Sequence, residues 1–521
     1  MHDYIHIRII HRMLLMLATA VMGTVMVSCN GGHEPTEADL SEFGEYVYRL
    51  DTAAMSNGFK QMLAADTDKG DASKWLRAHY AEPDSFGAIP QWFSRMGVTV
   101  EADSLLSFLR RELPLNGLDT TAFRLQQIAS DLDVVEEQAF DSLGIDINEL
   151  LPRLDYNLSR AYVKFTVGLR YGFVRPARLL NNLDYRDDRK DYARLFDYTL
   201  PAPSDSEAVC KLTSIDRMEY LLQAVPQSDV YQLLQARLLA TTDTAECRTL
   251  AINLERCRWQ LPHPDFSSRM VLVNIPSQQL WAIAEDSIMD MRICCGSTKT
   301  KTPLLSSAIS YIQVNPEWVI PQSIVKNEVA VHGGDSAYFG RHRYYIIDRS
   351  TGDTLNPKLV TQQQLLSGRL RVSQRGGAGN SLGRIVFRFA NDFAVYLHDT
   401  SNRNAFNLER RTLSHGCVRV QKPFEMAQFL MPEADDWTLD RIRIAMDMKP
   451  ETDRGRDYLE EHADDPRPLR AISYRDIIPQ VPIYIIYYTA YPNPETSTVE
   501  IWPDIYGYDK VIGEAMKELL P

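Results

Sequence analysis

The stretch "LHDTSNRNAFNLERRTLSHGCVRV", Leu397 to Val420, gathers two histidines, one cysteine and four arginines around a Ser-His-Gly-Cys tetrad. A cysteine attacks a carbonyl carbon as its thiolate, so it needs a base or a positive field beside it. His398 ends the run "FAVYLHD", and Cys417 follows 19 residues later. A strand end followed by a loop can bring two such side chains within hydrogen-bond reach, with His398 as the base. The second ring nitrogen then needs an orienting acceptor, for which a backbone carbonyl or the Asp399 carboxylate could serve. Gly416 lets backbone amides approach a substrate oxygen, and Arg419 can hold a carboxylate or fix the loop. On these residues alone two readings stay open, Cys417 as a nucleophile and Cys417 as a buried structural thiol. Zinc held by His398, His415 and Cys417 lacks an evident fourth ligand, so neither a metal nor any other cofactor is expected.

Elements of two kinds must position these groups. From about 37 to 260 the apolar spacing is helical: Leu105, Phe108 and Leu109 fall at i, i+3, i+4, and Ile215, Met218 and Leu222 at i, i+3, i+7. "NLERCRW" carries charge at helical spacing and reads as a helix seam between domains. Strand patterns follow in "RMVLVNI" and "QQLWAIA", joined by Pro276 and Ser277, and later in "SSAISYIQV", "RIVFRFA", "FAVYLHD" and "VPIYIIYYTAYP". The polar stretch from Gln322 to Arg371 is too long for an ordinary loop and is expected to form a small insertion over a sheet. His332 and His342 lie in it and read as solvated. The fold class is therefore α+β, with a helical scaffold domain over 37–260 and a mostly-β unit over 266–521 that contains an insertion at 322–371.

With 521 residues the chain is too long for one core. Its net charge of −13 argues against a nucleic-acid partner, which would need a strong basic patch. His6, Arg8, His11 and Arg12 precede an apolar run, Met13 to Ser28, shorter than the ~20 residues of a spanning helix. "VSCN" after it resembles a bacterial lipobox. Residues 1–29 are therefore expected to be a signal peptide of lipoprotein type ending at a lipidated Cys29, which places the protein outside the cytoplasm on a membrane anchor. The other cysteines are Cys210, Cys247, Cys257, Cys294, Cys295 and Cys417, and none has a zinc-ribbon or Cys-x-x-Cys spacing.

"SHGCVRV", preceded by "YLHDT" and "GNSLGRIVF", resembles the L,D-transpeptidase catalytic domain of the YkuD type. "RMVLVNIPSQQLWAI", "TPLLSSAISYIQVNPEWVIPQSI" and "VPIYIIYYTAY" extend the resemblance to the large periplasmic subfamily, over about Asn253 to Asp509. The resemblance implies that Cys417 is the nucleophile and that His398 is the general base, held by a backbone carbonyl. It implies that Ser414 and His415 position the loop, and that Gly416, the Cys417 amide and Tyr396 line the oxyanion side. Arg419 and Asp399 would orient substrate or loop, and 322–371 would cap the cleft. The implied partners are peptidoglycan stem peptides, a donor tetrapeptide and an acceptor amine, joined as 3-3 cross-links with release of D-alanine. Water or a protein lysine as acceptor would instead make a carboxypeptidase or a protein-to-wall ligase, and a degenerate site would leave only wall binding. Papain-like hydrolases place cysteine before histidine in the chain, the reverse of the order here.

Overall fold

The computed structural model describes residues 51–66, 71–81, 90–94, 97–183, 195–261, 269–465 and 469–521. The expected signal peptide and Cys29 lie outside these residues.

The first half is helical. Its axis is the 25-residue helix Ile147–Tyr171, buried along most of its length. Polar side chains on that helix are satisfied internally: Asp155 accepts from the Tyr80 hydroxyl at 2.6 Å and from the Trp92 amide at 2.7 Å. On the helix Val100–Leu115, Leu105, Phe108 and Leu109 face the core as their spacing predicts. The second predicted stripe is not there. The helix is only Arg217–Leu222, Ile215 precedes it, and Ile215 and Leu222 are exposed while Tyr220 and Leu221 are buried. Six residues make less than two turns, too few for an i, i+7 stripe. Neighbours set its rotation instead, with the Arg170 guanidinium 4.2 Å above the Tyr220 ring.

The helix Thr244–Arg258 joins the two halves. Towards the helical half, Arg258 donates to the Asn116 carbonyl at 2.6 Å and pairs with Glu255 at 3.2 Å. Towards the other half, Asn253 and Thr489 exchange hydrogen bonds of 2.7 and 3.0 Å, and Arg256 reaches Asp509 at 2.5 Å. The charges in "NLERCRW" thus form a buried seam rather than a solvated face.

In the second half strands close on themselves. Around the ring, in spatial order, run Ile385–Phe389, Leu397–His398, Val418–Val420, Ser287–Gly296, Gln279–Ala284, Met270–Asn274, Tyr474–Ile486 and Leu304–Val314. Ile385–Phe389 pairs back with Leu304–Val314 and completes the closure, which leaves these strands without a free edge. The pairing of Met270–Asn274 with Gln279–Ala284 across Pro276 and Ser277 is the predicted hairpin.

Between Trp318 and Gln374 lies a separate four-stranded sheet, in the order Thr354–Leu355, Tyr344–Asp348, Leu370–Gln374, Trp318–Val319. It has its own small core around Phe339, Ile346, Leu365 and Val372. His332 in this unit is half-buried rather than solvated. It stacks on Tyr338 with centroids 3.8 Å apart, and His342 covers Tyr338 at 4.3 Å.

Candidate active site

Two short strands put the candidate groups side by side. Leu397–His398 runs parallel to Val418–Val420, with His398 opposite Arg419, and antiparallel to Ile385–Phe389, with His398 opposite Val386. Buried Leu397 and Val418 set this register by pointing into the core. The long strand Ser287–Gly296 grips the tetrad loop on both flanks. Thr412–Ser414 lies beside Cys295 and Gly296, and Arg419 pairs with Cys294. The loop between Ser414 and Val418 therefore has both ends fixed to one rigid element.

Inside the loop, the Ser414 hydroxyl donates to the Cys417 carbonyl at 2.5 Å and accepts from the Gly416 amide at 3.1 Å. This bracing holds Gly416 at φ +119°, a conformation that side-chain-bearing residues rarely adopt. From outside, Thr302 donates to the Gly416 carbonyl at 2.8 Å, and Thr300 donates to the Ser414 carbonyl at 3.0 Å. Tyr506 in turn bonds the Gly296 carbonyl at 2.7 Å. Neither these threonines nor Tyr506 is legible as a site residue in the sequence. The only signal of the threonines is the small polar run "GSTKTKT", and Tyr506 lies in "PDIYGYD" near the C-terminus.

Arginine roles differ from the sequence expectation, which leaves only Arg419 a part in the site. Arg411 is buried and donates to the carbonyls of Ile293, Leu408 and Gln278 at 3.0, 2.8 and 3.1 Å. It ties the chain between His398 and Cys417 to the ring. Arg419 stands across from His398, and its Nε is buried with no partner among the described residues.

His398 is 4% exposed, and its Nδ1 lies 2.5 Å from the backbone carbonyl of Asp399. That contact fixes the Nδ1–H tautomer and leaves Nε2 as the basic nitrogen. Asp399 does not orient the imidazole through its carboxylate. Its oxygens accept from the Arg384 amide at 2.9 Å and from Arg403 at 3.1 Å, so the side chain shapes its own turn. A Cβ at Gly383, where φ is +64°, would collide with that carboxylate.

The Cys417 thiol points to the Ala394 carbonyl at 3.7 Å, and Tyr396 lies beside the sulfur, where its backbone and hydroxyl favour the thiolate. Trp318 of the four-stranded unit lies close to Tyr396 and favours its ionised form. Burial pushes the thiol pKa up to about 11 against the opposing pull of Tyr396 and Arg388. Burial, helped by the charge of Arg419, pushes His398 down to about 3. At neutral pH the resting pair is a protonated thiol beside a neutral imidazole. His415 is exposed and takes no part in this pair. Its Nε2 lies 2.6 Å from Glu328 of the four-stranded unit, a direct tie between that unit and the tetrad. Among the described residues, no group of three histidine, cysteine or acidic side chains could hold a metal ion.

Such a site can run acyl transfer: a sulfur nucleophile, a neutral base whose tautomer is fixed, and a loop braced at every turn. Residues 268–476 match the L,D-transpeptidase catalytic domain, YkuD, and residues 74–238 match a scaffold domain. Residues 268–476 belong to the YkuD family of L,D-transpeptidase catalytic domains. The chain is also similar to a curated protein of Haemophilus influenzae named "Putative L,D-transpeptidase". The two are 32% identical over 269 residues, 51% of this chain and 49% of the relative. The chain thus spans about half the length of the curated relative it matches. The L,D-transpeptidase domain follows the helical half, and its ring strand Tyr474–Ile486 continues past the matched region. No helix among the described residues is long and apolar enough to cross a membrane.

Proposed function

We propose that this protein is an exported peptidoglycan L,D-transpeptidase that forms 3-3 cross-links. The observation that carries the proposal is the His398 imidazole, locked by the Asp399 carbonyl, on the strand beside the braced Cys417 loop. His398 Nε2 takes the thiol proton as Cys417 Sγ bonds to the carbonyl carbon joining the stem's third residue to its terminal D-alanine. The Cys417 amide and the Tyr396 hydroxyl face the developing oxyanion, whereas the Gly416 amide is already committed to Ser414. The C–N bond breaks, D-alanine leaves with the proton from His398, and a thioester remains. The neutral side-chain amine of a second stem's third residue then attacks and gives His398 a proton. His398 returns that proton to the sulfur as the C–S bond breaks.

The four-stranded unit acts as a cap, tied down through Glu328 to His415 and with Trp318 close to Tyr396. Lipidation at Cys29 would hold the enzyme at a membrane facing the wall, and Cys29→Ala is expected to move it to the soluble fraction.

Incubation with purified tetrapeptide muropeptides should yield 3-3 dimers and free D-alanine by mass spectrometry. Tripeptide monomers alone would assign water as the acceptor. The pH dependence of kcat/KM for the donor, which reports only the steps up to D-alanine release, tests the neutral pair. It is expected to be flat through neutrality, with limbs only towards about 3 and about 11, where His398 gains and Cys417 loses a proton. A limb at the ordinary imidazole value of 6.5 would contradict the buried neutral base.

A further inference from the structure

Beside Cys417 opens a cleft of about 370 Å³ whose lining includes Ser310, Tyr311, Arg388, Asn391, Ala394 and Tyr396. The Ala394 carbonyl at its wall is the group the Cys417 thiol points to. Among the described residues no acidic side chain lines this cleft, although the chain carries a net charge of −13. Arg388 follows the Phe387–Leu397 pair on the Ile385–Phe389 strand, where the pairing with Leu304–Val314 slips. Its guanidinium carbon lies 4.2 Å from the Tyr396 ring centroid. Its Nη2 makes a long bond to Gln313 at 3.3 Å, and its Nε is buried with no partner among the described residues. The guanidinium lines the open cleft with only that one long side-chain bond at its Nη end, and a cation so placed next to a thiol points to an anionic ligand.

We propose that Arg388, held over the Tyr396 ring, binds a carboxylate of the donor peptide next to the scissile carbonyl. The planar fork matches a carboxylate with two parallel hydrogen bonds, and stacking restricts the arginine before substrate arrives, so little freedom is lost on binding. Two carboxylates of a stem peptide have this chemistry: the α-carboxylate of the terminal D-residue, and a free carboxylate on the third-position diamino acid. The assignment rests on the stem-peptide reading above. Arg388 is a specificity residue in it, separate from the proton transfers of His398. The charge of Arg388 also reaches the thiol and the imidazole, which places it in the field of the reacting atoms.

The first arm of the test needs no peptide. Alkylation of Cys417 by iodoacetate and by neutral iodoacetamide is followed by peptide mass, each rate normalised to a free thiol. The wild type is expected to prefer iodoacetate by about tenfold or more, and Arg388→Gln to lose that preference. Arg388→Lys should keep part of it. An iodoacetate preference that survives Arg388→Gln assigns the anion to Arg419 and overturns the proposal. The second arm compares tetrapeptide donors as free acid, as terminal carboxamide and as third-residue carboxamide. Arg388→Gln should raise KM for the free acid about ten- to a hundredfold with little change in kcat. The carboxamide on which wild type and variant become equal identifies the carboxylate that is bound. An equal loss on all three donors would mean that Arg388 only braces Tyr396, and would sink the idea. A wild type that turns over no donor, with an Arg388-dependent iodoacetate preference, removes the stem-peptide reading and leaves the anion site.

Discussion

Cys417→Ala is expected to abolish 3-3 dimer formation, a fall of at least about a thousandfold in kcat/KM, without lowering the melting temperature. The loss follows from covalent catalysis, since no neighbouring side chain can replace the sulfur as the atom that carries the acyl group. The stability outcome separates the two readings that the residue types leave open. A structural thiol would be a packed hydrophobe, and its truncation would create a small cavity and lower the melting temperature. The structure places this thiol otherwise. It points to a carbonyl at 3.7 Å at the wall of a cleft, and burial raises its pKa to about 11. A polar group kept in such surroundings gives little stability, and replacing it costs little. Activity and melting are measured on the same preparation. A variant that melts several degrees lower yet still forms dimers would return Cys417 to the core.

The second large effect is on folding. Arg258 and Glu255 are both fully buried in the seam helix. Glu255 also accepts from the Val174 amide at 2.8 Å and from the Trp259 indole at 3.1 Å, and burial pushes its carboxyl up. Arg258→Ala removes the cation, leaves that carboxylate buried, and orphans the Asn116 carbonyl. A loss of about 3–5 kcal/mol at neutral pH is expected, read from the denaturant midpoint. The deficit should shrink in acid. Glu255 has a raised folded pKa, so without Arg258 the folded state takes up a proton before the unfolded chain does. Replacing both partners by methionine should cost much less than the single change, because no unpaired charge remains. Equal losses from the single and double variants would mean that packing, not charge, holds the seam.

Particular residues explain how much of this was legible beforehand. The Leu105, Phe108 and Leu109 stripe lies on a 16-residue helix, long enough for periodicity to report its buried face. The Ile215, Met218 and Leu222 stripe failed because the helix is six residues long and takes its rotation from neighbours. His415 adjoins the cysteine's glycine in the tetrad, yet its side chain goes outward to Glu328, 87 residues earlier in the chain. Sequence proximity carries no information on side-chain direction in a loop. Arg388 was likewise invisible, because an arginine in an alternating strand reads as a solvated face until the facing ring and the cleft are known.

The order of residue types carried the family resemblance: a histidine ending a strand, then a Ser-His-Gly-Cys tetrad, with helices before and strands around, although on residue types alone Cys417 stayed open between nucleophile and structural thiol. These features are local, and both chemistry and hydrophobic period can be read from neighbours in the chain. Tertiary structure alone decided which backbone carbonyl holds His398, which arginine ties the loop, and that the strands close into a ring. The reason is physical. The acceptor is the Asp399 carbonyl, a group every residue has, so no residue type announces it. Arg411 and Thr302 act on carbonyls more than a hundred residues away, and only strand register brings those within 3 Å.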